Sequence, residues 1–208
     1  MLRPEEKPMS TVTTGATMSL DGYVADSSHG GFDHLFQWYG NGDVAVPTAN
    51  PDMTFRTSAA SAAHIRALTE RTGALVVGRT LFDITNGWGG RHPLDMPVVV
   101  VTHRVPDGWE PEGESFVFVT DGVERAVERA HSLADGKEVG VNGGTIARQV
   151  LEAGLLDEVH VDLVPVLLGD GIPFFSGLGI APVQFDGPFR VVEGVGVTHL
   201  AYRVRRPA

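Results

Sequence analysis

The segment Val141-Asn142-Gly143-Gly144-Thr145-Ile146-Ala147 has residue types and spacing suited to holding an anion. It ends the short apolar run that starts at Glu138 and leads into a helical pattern from Thr145 to Glu152. A strand that turns through two glycines into a helix leaves first-turn N–H groups without partners, and the helix dipole adds positive potential there. Glycines carry no Cβ, so a ligand can approach their backbone closely. The same pair also makes a plain tight turn, so the reading depends on whether other segments complete a nucleotide site.

Two others have the right chemistry. Val76-Val77-Gly78-Arg79-Thr80 ends a short buried strand with a glycine, a guanidinium and the start of a helix, all favourable to a phosphate. Its plainer alternative is a surface arginine beside a turn. Val100-Val101-Thr102-His103-Arg104 ends the most hydrophobic strand of the chain with a hydroxyl, an imidazole and a guanidinium. That cluster suits an isolated phosphate monoester, such as the one on the 2′ position of NADP; alternatively Arg104 is a solvated rim charge. In open α/β sheets ligands collect at the carboxyl ends of strands. A dinucleotide with an extra phosphate fits the set, with its pyrophosphate at the glycine turn.

The set departs from the Rossmann fingerprint, because no G-x-G-x-x-G follows the first strand. Asp162 lies about 20 residues beyond Gly143, but inside a strand, where a structural role is expected. Basic residues without a ribose acid point to NADP rather than NAD.

These segments need a sheet to position them. Residues 11–18 read as a first strand, followed by a turn at Asp21-Gly22. Residues 26–56 form a long irregular stretch with a possible short helix over 33–40, the length of a functional lid or mobile segment. Residues 58–71 read as a helix capped by Ser58. Strands at 75–77, 97–101 and 115–120, a helix at 122–135, a strand at 138–141 and a helix at 145–153 follow. Pro97-Val98-Val99-Val100-Val101 shows no alternation, as expected for a strand buried on both faces. After Asp157 the pattern turns β-rich, with strands at 157–168, 189–195 and 197–205. The expected fold is α/β, three-layered, with a mixed, mostly parallel sheet of eight to nine strands flanked by helices and antiparallel strands at one edge.

The 208 residues suit a single domain over 11–206, behind a polar lead-in at 1–10 expected to be disordered. The net charge of −10 shows no basic stripe and argues against a nucleic-acid partner. No run approaches a membrane span, and the N-terminus lacks the apolar stretch of a signal peptide. The absence of cysteine excludes disulfides and thiolate chemistry and permits a reducing, cytoplasmic setting. The eight histidines show no ligand spacing, and no H-E-x-x-H occurs, so no metal site is expected. Phe175-Ser176-Gly177 lacks the upstream glycine of a nucleophile elbow.

Together, Thr17-Met18-Ser19-Leu20-Asp21-Gly22-Tyr23-Val24-Ala25, Val77-Gly78-Arg79-Thr80, Val101-Thr102-His103-Arg104 and Val141-Asn142-Gly143-Gly144 resemble, in this order, the dihydrofolate reductase-like superfamily. The nearest branch is the C-terminal reductase domain of the bifunctional riboflavin-biosynthesis deaminase–reductase, in the free-standing form found in bacteria. The resemblance covers roughly residues 11–205 and implies NADPH as cofactor. It implies that Met18, Ser19, Asp21 and Gly22 line the nicotinamide and the entry to the active site, with Asp21 as the catalytic residue. It places Gly78, Arg79 and Thr80 on the phosphates and Thr102, His103 and Arg104 on the adenosine side. Asn142, Gly143, Gly144, Thr145 and Ile146 would hold the pyrophosphate. The zinc-dependent deaminase half cannot be built without cysteine. Dihydrofolate reductase proper has an acid on a helix soon after its first loop; here Asp33, Asp43 and Asp52 are neighbours only, and each also reads as a turn or cap residue.

The expected function is an NADPH-dependent reductase of a small, flat heterocycle or its ribosyl derivative, resembling 5-amino-6-(5-phosphoribosylamino)uracil reductase. The aromatics of 32–39 would close over such a substrate. The alternatives are a non-catalytic NADP-binding or sensor protein and a true dihydrofolate reductase. A homodimer is expected, because the apolar C-terminal strands leave an edge to be covered.

Overall fold

The computed structural model describes residues 10–109 and 115–206. The expected disordered lead-in lies outside these residues except for Ser10, whose hydroxyl sits 2.8 Å from His131 Nδ1. The chain opens with β1 (Val12–Ser19), β2 (Tyr23–Ala25), α1 (Phe32–Leu35) and a 3-10 turn (Gln37–Tyr39). There follow β3 (Val44–Pro47), β4 (Thr54–Thr57), α2 (Ala59–Arg71), β5 (Thr72–Gly78) and α3 (Arg79–Ile84). Then come β6 (Val98–Val101), β7 (Phe116–Val119), α4 (Val123–Leu133), β8 (Glu138–Asn142) and α5 (Thr145–Glu152). The last elements are β9 (Glu158–Val164), β10 (Ile172–Pro173), β11 (Phe185–Glu193) and β12 (Thr198–Val204).

Eight strands form one sheet in the order β11-β12-β9-β1-β8-β5-β6-β7. The six from β9 to β7 run parallel, and β12 and β11 add antiparallel at one edge. This is the expected mixed, mostly parallel sheet. Val98, Val99 and Val100 are all fully buried, because β6 has helices on both faces. Ala126, Val127 and Ala130 of α4 and Ala147, Val150 and Leu151 of α5 pack with Val76, Val99, Val139 and Val141 on one face. Phe82 of α3 packs with Val77, Val98 and Val100 on the other. The sheet and helix layers approach so closely that a Cβ on Gly73 would lie 2.3 Å from the Ala134 carbonyl oxygen.

Ser58 caps α2 as expected, its hydroxyl accepting the Ser61 N–H at 3.2 Å. The irregular stretch of 26–56 is more ordered than its sequence suggests. It contains α1, the 3-10 turn and nearly all of the β3–β4 hairpin, and it buries Leu35, Trp38 and Val46 against Ala62 and Ile65 of α2. β2 is held by β10, far along the chain, a pairing that no local pattern announces.

Candidate functional site

Because the central strands are parallel, Ser19, Asn142, Gly78 and Val101 all lie at one edge of the sheet, at the carboxyl ends of four neighbouring strands. Gly78 is paired with Val101, so the second and third candidate segments leave the sheet side by side. Asn142 is paired with Gly15, four residues before the end of β1. The close of β1 therefore overhangs the glycine turn by roughly 13 Å at the usual strand rise. The shorter ends of β8 and β5 form a ledge beside that overhang.

The glycine turn sits on this ledge. A Cβ on Gly143 would lie 3.4 Å from the Ala16 Cβ, and one on Gly78 would lie 3.0 Å from Ile146 Cγ1. Gly144 adopts φ 79° and has open space where a Cβ would project. No side chain caps the first turn of α5, so its amides have a place for an anion directly in front of them. The Gly144 N–H itself is donated to the Phe174 carbonyl at 3.1 Å, so the backbone donors facing a phosphate start with those of Thr145 and Ile146.

The basic residues stand beside it. Arg79 donates from Nε to Asp83 at 2.7 Å and from Nη1 to the Arg104 carbonyl at 2.9 Å. Thr102 Oγ1 donates to that same carbonyl at 2.8 Å, which ties the ends of β5 and β6 together. Arg104 pairs with Asp107 at 2.6 Å, with both side chains largely in solvent. Thr80, His103 and Thr145 are exposed. Exposed ion pairs contribute about 0–1 kcal/mol, so an arriving phosphate can displace them. The open Gly144, the uncapped helix and this donor set fit the phosphates of a dinucleotide.

On the overhang, Ser19 is buried and its hydroxyl donates to Asp21 Oδ1 at 2.6 Å. The Leu168 and Gly169 N–H groups donate to the same carboxylate at 3.2 and 2.7 Å. The Ser19 hydroxyl is the largest influence on the Asp21 carboxyl; burial opposes it, and with the two amides added the carboxyl is held below the usual aspartate range. Asp21 is thus an ionised clasp between the β1 overhang and the loop after β9. Met18 is half-buried in the core cluster on the α5 side of the sheet, and Gly22 takes φ 94° in the turn.

A second group of polar side chains lies under α2, on the opposite face of the sheet from α5. Asp162 of β9 is paired with Thr17 of β1 and with His199 of β12. His199 Nδ1 lies 2.6 Å from Asp162 Oδ1, and its Nε2 lies 2.9 Å from Ser61 Oγ. His64 Nε2 reaches the same Oδ1 at 3.5 Å, and its ring stacks on His199 at 4.1 Å between centroids. Burial opposes ionisation of Asp162, but the His199 and His64 contacts outweigh it and hold the carboxyl below its ordinary value. Among the described residues these are the three histidine and acid side chains close enough to share a metal ion. At 2.6 Å the contact between His199 and Asp162 is a hydrogen bond. The arrangement is a hydrogen-bonded network.

Trp38 and Tyr39 belong to this network's wall rather than to a free lid. Trp38 is 2% exposed, donates from Nε1 to Thr17 Oγ1 at 3.3 Å and meets His199 edge-on. Tyr39 stacks on Trp38 and on Phe55, and burial, then the nearby Asp162 charge, raises its phenol far above the ordinary value. Phe36 is the aromatic of this stretch left exposed. Asp33, Asp43 and Asp52 are exposed, and none of them bonds to this network among the described residues. Sequence spacing pointed to Asp162 only as a strand residue and pointed to neither histidine. The register of β9 and β12 and the course of α2 bring them together.

The model of the RibD C-terminal domain family matches residues 10–195 of the chain. Among solved structures, the chain resembles a putative riboflavin biosynthesis protein from Shewanella sp. PV-4, with 24% identity, coverage of 94% of this chain and 99% of that one, and a TM-score of 0.70. It resembles dihydrofolate reductase from Enterococcus faecalis, solved with NADP(H), at 15% identity, 95% and 98% coverage and a TM-score of 0.54. A diaminohydroxyphosphoribosylaminopyrimidine deaminase/5-amino-6-(5-phosphoribosylamino)uracil reductase from Thermotoga maritima matches at 13% identity and a TM-score of 0.58, over 95% of this chain but 57% of that one. These likenesses show a dihydrofolate reductase-like fold. No curated protein matched the chain in a sequence comparison.

Proposed function

The chain belongs to the RibD C-terminal domain family, and on that footing we propose that it is an NADPH-dependent reductase of a small heterocycle or its ribosyl derivative, akin to 5-amino-6-(5-phosphoribosylamino)uracil. The observation that carries this reading is the meeting of three anion-suited strand ends, Gly78-Arg79-Thr80, Thr102-His103-Arg104 and Asn142-Gly143-Gly144, on one edge of the sheet. When bound, NADPH supplies a hydride; the protein has to orient it, exclude water and manage one proton. Thr145 and Ile146 at the start of α5 would hold the pyrophosphate, Arg79 and Thr80 its neighbouring phosphate oxygens, and Thr102, His103 and Arg104 the 2′-phosphate. Met18, Ser19, Asp21 and Gly22 would border the nicotinamide. Asp21, ionised and bonded on both oxygens, fixes the overhang and orients what lies beneath it.

The test is binding followed by turnover. Purified protein should bind NADPH saturably by calorimetry and more tightly than NADH. It should then oxidise NADPH when given the ribosylaminopyrimidine. Lack of saturable NADPH binding would falsify the proposal. Binding without turnover, on that substrate and on a panel of pterins, would favour a nucleotide-binding or sensor role. The commitment of Asp21 to the clasp supports that second reading, and turnover of dihydrofolate would mark a dihydrofolate reductase.

The edge position of β11 supports a homodimer: Phe189 is 37% and Val191 53% exposed on a strand that has no outer neighbour among the described residues. Mass by light scattering tests it. Among the described residues no helix is long and apolar enough to cross a membrane; with the cysteine-free composition, a cytoplasmic location completes the proposal.

A further inference from the structure

Gly15 lies in the middle of the central strand, yet it is the one exposed residue of β1. It is paired with Asn142 on one side and His160 on the other, and it shares the α2 face with Thr17. The sheet therefore has an opening on this face, floored by a residue without a side chain. It adjoins Asn142, which leads into the glycine turn, and it is one pairing step along the strands from Asp162.

The titratable groups around the opening are unequal. Asp21 is held as a carboxylate and offers no proton. At His160, burial is the largest influence and favours the neutral ring; Arg71 adds to it, and Glu158 opposes it. Arg71 also donates to the His160 ring at 3.1 Å and sits beside Glu138. What remains is the stacked pair His64 and His199, sharing Asp162 Oδ1, with Ser61 behind His199 and Tyr39 facing Asp162. Both imidazole contacts go to Oδ1, which leaves Oδ2 without a side-chain partner among the described residues, on a side chain 19% exposed. His64 is 8% exposed, and its buried Nδ1 has no partner either. The network thus has two positions beside the opening at which a ligand can bond.

We propose that His64, His199 and Asp162 form a buried store for one proton, which the network delivers to a substrate seated over Gly15. One carboxylate balances one imidazolium, and two charged rings stacked at 4.1 Å would repel in a poorly screened site. In the reaction, the carbon of the substrate's carbon–heteroatom π bond gains the hydride, and the heteroatom gains the proton by way of Asp162. The network loses one positive charge and recovers it from solvent through the opening. Asp162 is the group that touches substrate; His199 and His64 act through it, and Ser61 positions His199. The inference deepens the reductase reading and depends on it for the identity of the acceptor.

Histidine-selective NMR on the whole protein, followed from about pH 5 to 9, reads the store with no cofactor present. The expected result is one protonation step shared by both rings, which Asp162→Asn abolishes. Where Asp162→Asn does not fold, His199→Asn, which keeps a donor toward Asp162 but has no titratable ring, provides the comparison. Rings that keep one protonation state throughout would overturn the store. With NADPH and 5-amino-6-(5-phosphoribosylamino)uracil, His64→Gln and His199→Asn should keep the NADPH dissociation constant, lower the single-turnover rate about 10²-fold and flatten its pH profile. Gly15→Val, which fills the opening, should keep NADPH binding and raise KM. An unchanged rate and pH profile in both histidine variants would overturn the relay. Wild-type protein that fails to bind NADPH would sink the reductase reading alone, because the NMR result stands without it.

Discussion

Asp21 Oδ2 accepts the backbone N–H of Gly169 at 2.7 Å, although 148 residues separate the two in sequence. This contact closes the β1 overhang onto the loop after β9, and just past β10 the same segment carries Phe174, whose carbonyl takes the Gly144 N–H. One carboxylate thus connects the nicotinamide side of the proposed site to the glycine turn.

Asp21→Asn should loosen that clasp, because an amide offers one acceptor oxygen where the carboxylate offers two. Faster hydrogen exchange at Leu168 and Gly169 and a lower Tm are expected. The sign with pH follows from the lowered carboxyl. The folded state binds fewer protons here than the unfolded chain, so the contribution is complete above the ordinary aspartate value of about 3.9 and is lost as pH falls through the lower folded value. Asp21→Asn should remove that part of the acid dependence; identical acid denaturation curves for the two proteins would refute the clasp.

Gly144→Ala places a methyl in the open space proposed for the anion, at a backbone of φ 79° and ψ −142° that only glycine adopts readily. The strain should cost about 1–3 kcal/mol, visible as a drop of several degrees in Tm. NADPH affinity should fall further than this stability loss explains, by about tenfold or more. Unchanged calorimetric affinity in folded protein would remove the glycine turn from the cofactor site.

Arg104→Ala tests the adenosine side. Its pair with Asp107 lies in solvent and contributes little to folding, so Tm should hold. A charge-assisted contact to the 2′-phosphate is worth about 1.5–3 kcal/mol. The variant should therefore bind NADPH about tenfold to a hundredfold more weakly while binding NADH as before. Equal losses for both nucleotides would place the 2′-phosphate elsewhere.

His92 should make the protein acid-sensitive well away from the site. Burial pushes its imidazole down to about 4, and its Nδ1 accepts the Leu94 N–H at 3.2 Å, which requires a bare nitrogen. The unfolded chain binds a proton here first, so stability is complete above the ordinary histidine value of about 6.5 and falls as pH drops toward 4. A loss of up to about 3 kcal/mol across that window is expected, measured by urea denaturation. His92→Gln should flatten it, and a wild-type stability that stays level from about pH 6.5 to 4 would contradict the assignment.

Much of this protein is legible in residue order. The run of four valines in β6 announces a strand covered on both faces, Ser58 announces the start of α2, and three strand ends with glycines and basic residues announce one edge of a parallel sheet. These are local signals: period, capping and turn chemistry act over a few residues. The stretch from 26 to 56 resisted such reading because its elements are four residues or fewer apiece and are held by packing on α2, while β2 just before it is paired with distant β10. The network of His64, Asp162 and His199 and the opening over Gly15 belong to tertiary structure alone. No spacing marks them, since they arise from the register of β9 against β1 and β12 and from where α2 leaves the sheet uncovered. Register is set by the packing of the whole sheet, and shifting it by one residue would turn Asp162 to the opposite face.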